Sequence, residues 1–184
     1  MAEQSLQAWL EVIEQAKAIF TKKLKDYGSA WSGLRPISLI DQLFIKANRI
    51  RTISLNKEQK VNNTGDDIIS EYLGIVNYGI IGLIQLQNPQ SDGPVKYLPN
   101  DEALNLYEKN MGAIVGKLDF ANKMVNGAKP AFLVEIIYER LRRISDGYQS
   151  KKISKDNEET MISHHLEKII MYAIFAKAQL VHTS

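Results

Sequence analysis

Apolar residues recur at steps of three and four through most of the chain, and this spacing is typical of helices that bury one face. No segment alternates apolar and polar residues over the length of a strand. The sequence therefore predicts an all-α fold, a helical bundle of about six main helices. The first apolar stripe consists of Leu6, Trp9, Leu10, Ile13, Ala16, Phe20 and Leu24.

A loop divides the chain near its middle. Residues 87–100 contain three of the five prolines, and prolines at this density end helices. We therefore expect two helical units, residues 1–90 and residues 91–184, which can also pack together as one globular domain.

The two halves are similar at a spacing of 94 residues. Pro36 opens the segment PISLIDQLFIKANRI, and Pro130, 94 residues later, opens PAFLVEIIYERLRRI. Charge sign and apolarity persist through this alignment, so we interpret the chain as two duplicated three-helix units. The alternative is two similar amphipathic helices with no common origin. The alignment pairs Asp41 with Glu135, Lys46 with Arg140, and Arg49 with Arg143.

Helix limits follow from prolines and from residues that cap helices. The second helix is expected to follow Pro36, with Ser38 as its cap. The third is expected from about Gly65 to Leu86, and the last from about Asn157. Because a three-helix unit has only a small core, we expect the two units to pack on each other as a pseudo-dimer.

Composition and charge exclude several classes of protein. The chain has 184 residues, a formal net charge of +2 and no cysteine, which excludes disulfides, thiol catalysis and cysteine zinc sites. The near-neutral charge argues against a protein that coats nucleic acid. The longest apolar stretch, residues 73–86, is shorter than the roughly 20 residues of a membrane span. We therefore expect a cytoplasmic protein with no membrane partner.

The predicted third helix contains an isolated amide, Asn77, in an otherwise apolar run. A buried amide needs a partner, which can be protein, water or a ligand. Asp66 and Asn77 lie on one face with Ser70 and Gly74, and Glu71 lies about 100° away, so this oxygen-rich surface suits a hard cation such as Mg²⁺. The alternative is that Asp66 caps the helix and Asn77 bonds another helix.

Cations on the predicted second helix are candidates for binding phosphate. Lys46 and Arg49 are one turn apart, and arginine can grip phosphate oxygens with two donors. Asp41 precedes them and can orient them or assist with a metal. The alternative is a solvated helix face with ion pairs.

The loop expected at residues 25–36 contains aromatic residues that can stack on a nucleotide base. Tyr27 and Trp31 lie there beside Gly28. They can equally form an apolar plug between helices. His164 and His165 are adjacent, so on a helix they point about 100° apart, and we expect a surface or capping role for them.

Three segments, KDYGSAW, SLIDQLFIKANRIR and SEYLGIVNYGIIGLIQL, resemble the bacterial and phage family called nucleotide modification associated domain 1. The resemblance covers about residues 20–88, and in weaker form residues 115–180, as a degenerate second copy. It implies a role in nucleotide metabolism or base modification. The family is also similar to all-α nucleoside triphosphate pyrophosphohydrolases, which hold Mg²⁺ with carboxylates on facing helices. When the family's motif is aligned with this chain position by position, the resemblance implies these candidate site residues: Asp26, Tyr27, Gly28, Trp31, Asp41, Lys46, Arg49, Asp66, Glu71, Asn77 and Tyr78.

The chain departs from the family at several positions. Many members have acidic residues where this chain has Ser70 and Gly74. In the second half, Met171 takes the place of Asn77, and Lys168 that of Gly74. We therefore expect one site, built mostly by the first half.

Three function classes are consistent with these residues. The first is a Mg²⁺-dependent nucleotide phosphohydrolase, resembling the pyrophosphohydrolases. The second is a nucleotide-binding or regulatory module without turnover, and a structural helical adaptor is a third reading. In the enzyme the expected partner is a small nucleotide, and a homodimer is possible. In such an enzyme, Asp41, Glu71 and Asn77 would be catalytic, and Asp66 and Glu71 would bind the metal. The substrate would be bound by Lys46, Arg49, Tyr27 and Trp31.

Overall fold

The computed structural model describes residues 2–56, 64–89, 96–125, 127–150 and 155–181, and these residues form helices joined by short turns, without a strand. Within these residues, six long helices and one short helix confirm the prediction of an all-α bundle. The helices are α1 (Ala2–Tyr27), α2 (Pro36–Asn56), α3 (Thr64–Gln87), α4 (Asn100–Val115), α5 (Leu118–Met124), α6 (Pro130–Ser150) and α7 (Lys155–Val181), with a short 3-10 helix at Ala30–Gly33.

Helices α3 and α7 pack against each other at the centre of the bundle, with α2 beside α3 and α6 beside α7. Helices α2 and α6 also contact each other, and α1 and α4 cover the remaining side. Within the described residues, Asp67–Gln87 of α3 is long and apolar enough to cross a membrane, but 72% of its most apolar window is buried in the bundle. That burial is typical of a core helix in a globular protein. The cytoplasmic location stays a prediction.

Two local predictions about helices were wrong. Helix α2 begins at Pro36 itself, because proline suits the first position of a helix, where no N–H is needed. Ser38 therefore lies inside the first turn rather than at the cap, and its N–H donates to the carbonyl of Arg35 at 2.9 Å. Leu6, expected in the core, is 43% exposed.

Helices α2 and α6 occupy corresponding places in the two halves. Each has 21 residues and begins at a proline. The ring of Phe44 contacts the ring of Tyr138, 94 residues later, with centroids 5.3 Å apart and planes at 79°. Corresponding residues touch each other when a two-fold axis passes between them. Four further pairs of apolar residues, at the same spacing of 94 on these two helices, are all buried: Ile40, Leu43, Ala47, Ile50, Val134, Ile137, Leu141 and Ile144.

A pair of glutamines makes the same contact in both halves. The Nε2 atom of Gln85 donates to the carbonyl of Leu34 at 2.8 Å. The Nε2 atom of Gln179 donates to the carbonyl of Ala128 at 3.0 Å. Donor and acceptor are each displaced by 94 residues. These contacts agree with the duplication of a helical unit, which itself stays a prediction, as does the division at residue 90.

Candidate functional site

A cavity of about 370 Å³ lies between the end of α1, the 3-10 helix, α2 and α3. Its volume is within the range of about 300–1,000 Å³ that is usual for small-molecule sites. Most of its wall is apolar or aromatic, and Lys23, Lys46, Ser70 and Asn77 add polar groups. The apolar part includes Phe20, Leu24, Tyr27, Trp31, Tyr78 and Ile81.

The mouth of this cavity is shaped by the turn after α1. Gly28 has φ of +62°, the left-handed conformation in which a helix commonly ends, and its N–H donates to the carbonyl of Leu24 at 2.9 Å. A side chain at this position would strain the backbone. The turn leads into the 3-10 helix, which places Trp31 back over α1. Lys25 and Tyr27, expected in a loop, belong to the last turn of α1.

Aromatic rings line one wall of the cavity. The rings of Phe20 and Trp31 have centroids 6.1 Å apart, and Phe20 stacks on Tyr107 at 4.1 Å. Tyr27 is 77% exposed at the mouth. The Nε1 atom of Trp31 is buried and has no hydrogen-bond partner among the described residues. A buried indole N–H without an acceptor costs about 1–3 kcal/mol.

Lys46, Arg49 and Glu71 form an ionic cluster beside the cavity. Glu71 is buried, with only 6% of its surface exposed. Its Oε2 atom accepts a hydrogen bond from Nζ of Lys46 at 3.1 Å. Its Oε1 lies 3.1 Å from Nη1 of Arg49. The ammonium of Lys46 also lies over the ring of Tyr78, 5.6 Å from its centroid. The predicted pair of cations therefore converges on Glu71, and the cluster carries a net charge of +1.

Gly74 makes room for the side chain of Lys46. A Cβ atom at position 74 would lie 2.6 Å from Cε of Lys46 and 2.8 Å from Nζ. Lys46 therefore reaches Glu71 across the one position of this turn that has no side chain. An acidic residue here, as in many members of the resembled family, would require Lys46 to move.

Asn77 connects three helices through its buried amide. Its Nδ2 atom donates to the carbonyl of Ala16 on α1 at 3.0 Å. Its Oδ1 atom accepts a hydrogen bond from the hydroxyl of Tyr107 on α4 at 2.7 Å. Burial raises the pKa of Tyr107 well above its usual value, so the phenol stays protonated and donates. These bonds are the interhelical alternative considered above, and the catalytic role of Asn77 stays a prediction.

Asp41, one of the predicted acids, is not part of the ionic cluster. Asp41 is exposed on α2 and does not line the cavity, because it lies about 140° around the helix from Lys46. Asp66 lies in the first turn of α3, and its side chain is outside the described residues.

In the described part of the chain, the carboxylates beside the cavity are not grouped as a Mg²⁺ site. Among the described residues, no three His, Asp or Glu side chains group as metal ligands. The carboxylate of the ionic cluster, Glu71, already has both of its oxygens in contact with the cations of Lys46 and Arg49. Magnesium requires near-octahedral oxygen coordination. The role of Glu71 and Asp66 as metal ligands stays a prediction.

The segment that builds the cavity and the ionic cluster corresponds to a known family. Residues 23–86 match nucleotide modification associated domain 1. This match confirms the resemblance over the segment from Lys23 to Leu86, and the degenerate second copy of the domain stays a prediction. No curated protein and no solved structure matches the chain significantly.

Two residues of the site were missed by the sequence analysis. Lys23 lines the cavity one turn before Tyr27, and the spacing of four residues on α1 was a usable signal. Tyr107, which supports both Phe20 and Asn77, lies in the second half. The sequence carried no signal for this contact, because the proline-rich segment separates the two halves.

Proposed function

We propose that the domain at residues 23–86 binds a nucleotide, with the base in the aromatic cavity and the phosphates at Lys46 and Arg49. The observation that supports this most is the direct junction of the two environments, since Lys46 lines the same cavity as Trp31. The family description, nucleotide modification associated, agrees with this ligand class.

The cavity wall suits a flat heterocycle. Trp31, Phe20 and Tyr78 provide faces or edges against which a base can stack, and base–aromatic stacking contributes about 1–3 kcal/mol per base. The Trp31 N–H can donate to a carbonyl or ring nitrogen of the base. Such a bond would satisfy a buried donor that has no partner among the described residues.

The charge beside the cavity suits phosphate. Glu71 neutralises one of the two cations, and Lys23 adds a further positive charge at the wall. Arg49 has five N–H donors, of which one contacts Glu71, and its side chain is 57% exposed. Charge-assisted bonds from arginine and lysine to phosphate are short and strong. The paired state of Glu71 favours binding without turnover.

A Mg²⁺-dependent phosphohydrolase acting on the same nucleotide is the second candidate. It is favoured by Asp67, which lies one turn before Glu71 on α3 and would add a second carboxylate. For this activity Glu71 would have to leave Lys46 and Arg49. Asp66, Asp67 and Glu71 would then hold the ion.

Replacing Glu71 by glutamine separates the two candidates. Glu71→Gln keeps the size of the side chain and removes a negative charge a few ångströms from the phosphate site. Nucleotide affinity, measured by calorimetry without Mg²⁺, is expected to rise about tenfold, or about 1.4 kcal/mol. A phosphohydrolase would instead release phosphate or pyrophosphate in the wild type with Mg²⁺ and lose this activity in the variant. A fall in affinity without Mg²⁺ would contradict the binding proposal.

Removing the cation of Lys46 is expected to weaken nucleotide binding about tenfold. Lys46→Met keeps most of the apolar stem, so its loss reports the ammonium. The matched control is Lys109→Met, at an exposed lysine of α4 outside the cavity, which is expected to leave affinity within twofold. Equal losses in both variants would indicate an effect of net charge alone. If no nucleoside mono- or triphosphate binds the wild type, the structural adaptor remains.

A further inference from the structure

The second half contains a cluster in the same relative position as the ionic cluster of the first half, but without its carboxylate. In the alignment shifted by 94 residues, the acid Glu71 is replaced by His165 on α7. The other correspondences are Lys46 with Arg140, Arg49 with Arg143, and Tyr78 with Tyr172.

The contacts of this second cluster repeat those of the first. Nη1 of Arg140 lies 3.2 Å from Nδ1 of His165, where Lys46 lies 3.1 Å from Glu71. The guanidinium of Arg140 lies over the ring of Tyr172 at 5.4 Å, where Lys46 lies over its tyrosine at 5.6 Å. The same arrangement of cation, ring and partner is therefore present twice.

The charge of the second cluster is different. A guanidinium can only donate, so Nδ1 of His165 accepts and the imidazole is neutral. Burial, followed by the charge of Arg140, lowers the pKa of His165 to about 4. The imidazole thus stays neutral at physiological pH. Whereas Glu71 cancels one positive charge, His165 cancels none.

Arg140 has one buried donor without a partner among the described residues. Its Nε atom is buried and has no hydrogen-bond partner within the described part of the chain. The neighbouring arginines of α6 are paired, since Arg142 and Arg143 both contact Glu139 at 3.7 and 3.3 Å. Burying a charge is costly unless an opposite charge or hydrogen-bond acceptors compensate it.

A surface hollow of about 320 Å³ gives access to this arginine. It is lined by Arg140, Arg143, Ile136 and two glutamates. Glu135 is held by Arg51 on α2 at 2.7 Å, and Glu139 by the pairs described above. Both glutamates of the hollow are therefore paired with arginines other than Arg140. Arg140 has no acidic partner among the described residues, so its charge can be compensated by a ligand.

We propose that this hollow binds a small oxyanion of the phosphoryl class through Arg140 and Arg143, as a second anion site separate from the nucleotide cavity. Arg143 contacts Glu139 through Nε, and Arg140 contacts His165 through Nη1. The other guanidinium donors of these two arginines, which are one helical turn apart, match phosphate oxygens. The site does not rest on the nucleotide proposal, because it uses none of the residues of that cavity. The ligand can be free phosphate or the phosphate group of a nucleotide.

A change at His165 tests the site by restoring the missing charge. His165→Glu places a carboxylate beside Arg140, as Glu71 stands beside Lys46. His165→Gln, the matched control, keeps a neutral acceptor. Both are made in a Lys46→Met background, which weakens the first site. Binding of inorganic phosphate and of a nucleoside monophosphate is followed by ³¹P NMR at pH 7.5 and constant ionic strength.

We expect His165→Glu to weaken phosphate binding at least tenfold relative to His165→Gln. Equal affinities in the two variants, or no binding by the Lys46→Met protein, would overturn the proposal. Tighter binding of the monophosphate than of phosphate would support a nucleotide ligand, and equal binding would support free phosphate. If His165→Glu does not fold, Arg143→Gln replaces it, with a several-fold loss expected and an unchanged affinity again contradicting the site.

Discussion

Replacement of Asn77 by leucine is expected to lower the free energy of unfolding by about 3 kcal/mol. Leucine has the same branched shape as asparagine but is larger, and it removes both hydrogen bonds that the amide makes. The carbonyl of Ala16 and the hydroxyl of Tyr107 would remain buried without these partners. The orphaned hydroxyl of Tyr107 costs about 1–3 kcal/mol, and the carbonyl of Ala16 costs less because it keeps its hydrogen bond within α1. Chemical denaturation of the purified variant measures the loss.

The partner variant shows whether this loss comes from the hydrogen bonds. Tyr107→Phe removes the hydroxyl and leaves the stack on Phe20, so we expect a loss of about 1–2 kcal/mol. The double variant should lose less than the sum of the single variants, with a coupling of about 1 kcal/mol. A stable Asn77→Leu protein that no longer binds or turns over nucleotide would instead place Asn77 in the ligand site.

Alanine at Gly79 is expected to destabilise the fold by about 2 kcal/mol. A Cβ atom there would lie 2.5 Å from Cγ1 and 3.1 Å from Cδ1 of Ile170, which is fully buried on α7. Isoleucine has one strongly preferred rotamer in a helix, so its side chain cannot turn away freely. The two central helices would have to separate, and a lower midpoint in denaturant reports this.

Gly112 provides the matched control for the same substitution. It lies exposed on α4, and a Cβ atom there would meet nothing within 4 Å. Gly112→Ala is expected to stabilise the protein by up to about 1 kcal/mol, because alanine has the higher helix propensity. If Gly79→Ala were equally stabilising, the close packing of α3 on α7 would be wrong.

Part of the candidate site could be predicted from local spacing. Lys46 and Arg49 share a face because they are three residues apart on a helix, and the structure brings them to one carboxylate. Trp31 and Tyr27 line one cavity because a short turn joins the elements that hold them. Asp41 belongs to the same sequence motif but lies on another face of α2, so the motif alone did not reveal its position.

The sequence by itself determined the helical class, most helix limits and the buried faces of α2 and α6. These features depend on apolar periodicity and on proline, which act over a few residues. Only the tertiary structure decided that Glu71 is paired with Lys46, and that Asn77 bonds Ala16 and Tyr107. These partners are 25, 61 and 30 positions apart. Such contacts depend on how whole helices pack, and a side chain's charge or polarity does not specify which distant group will face it.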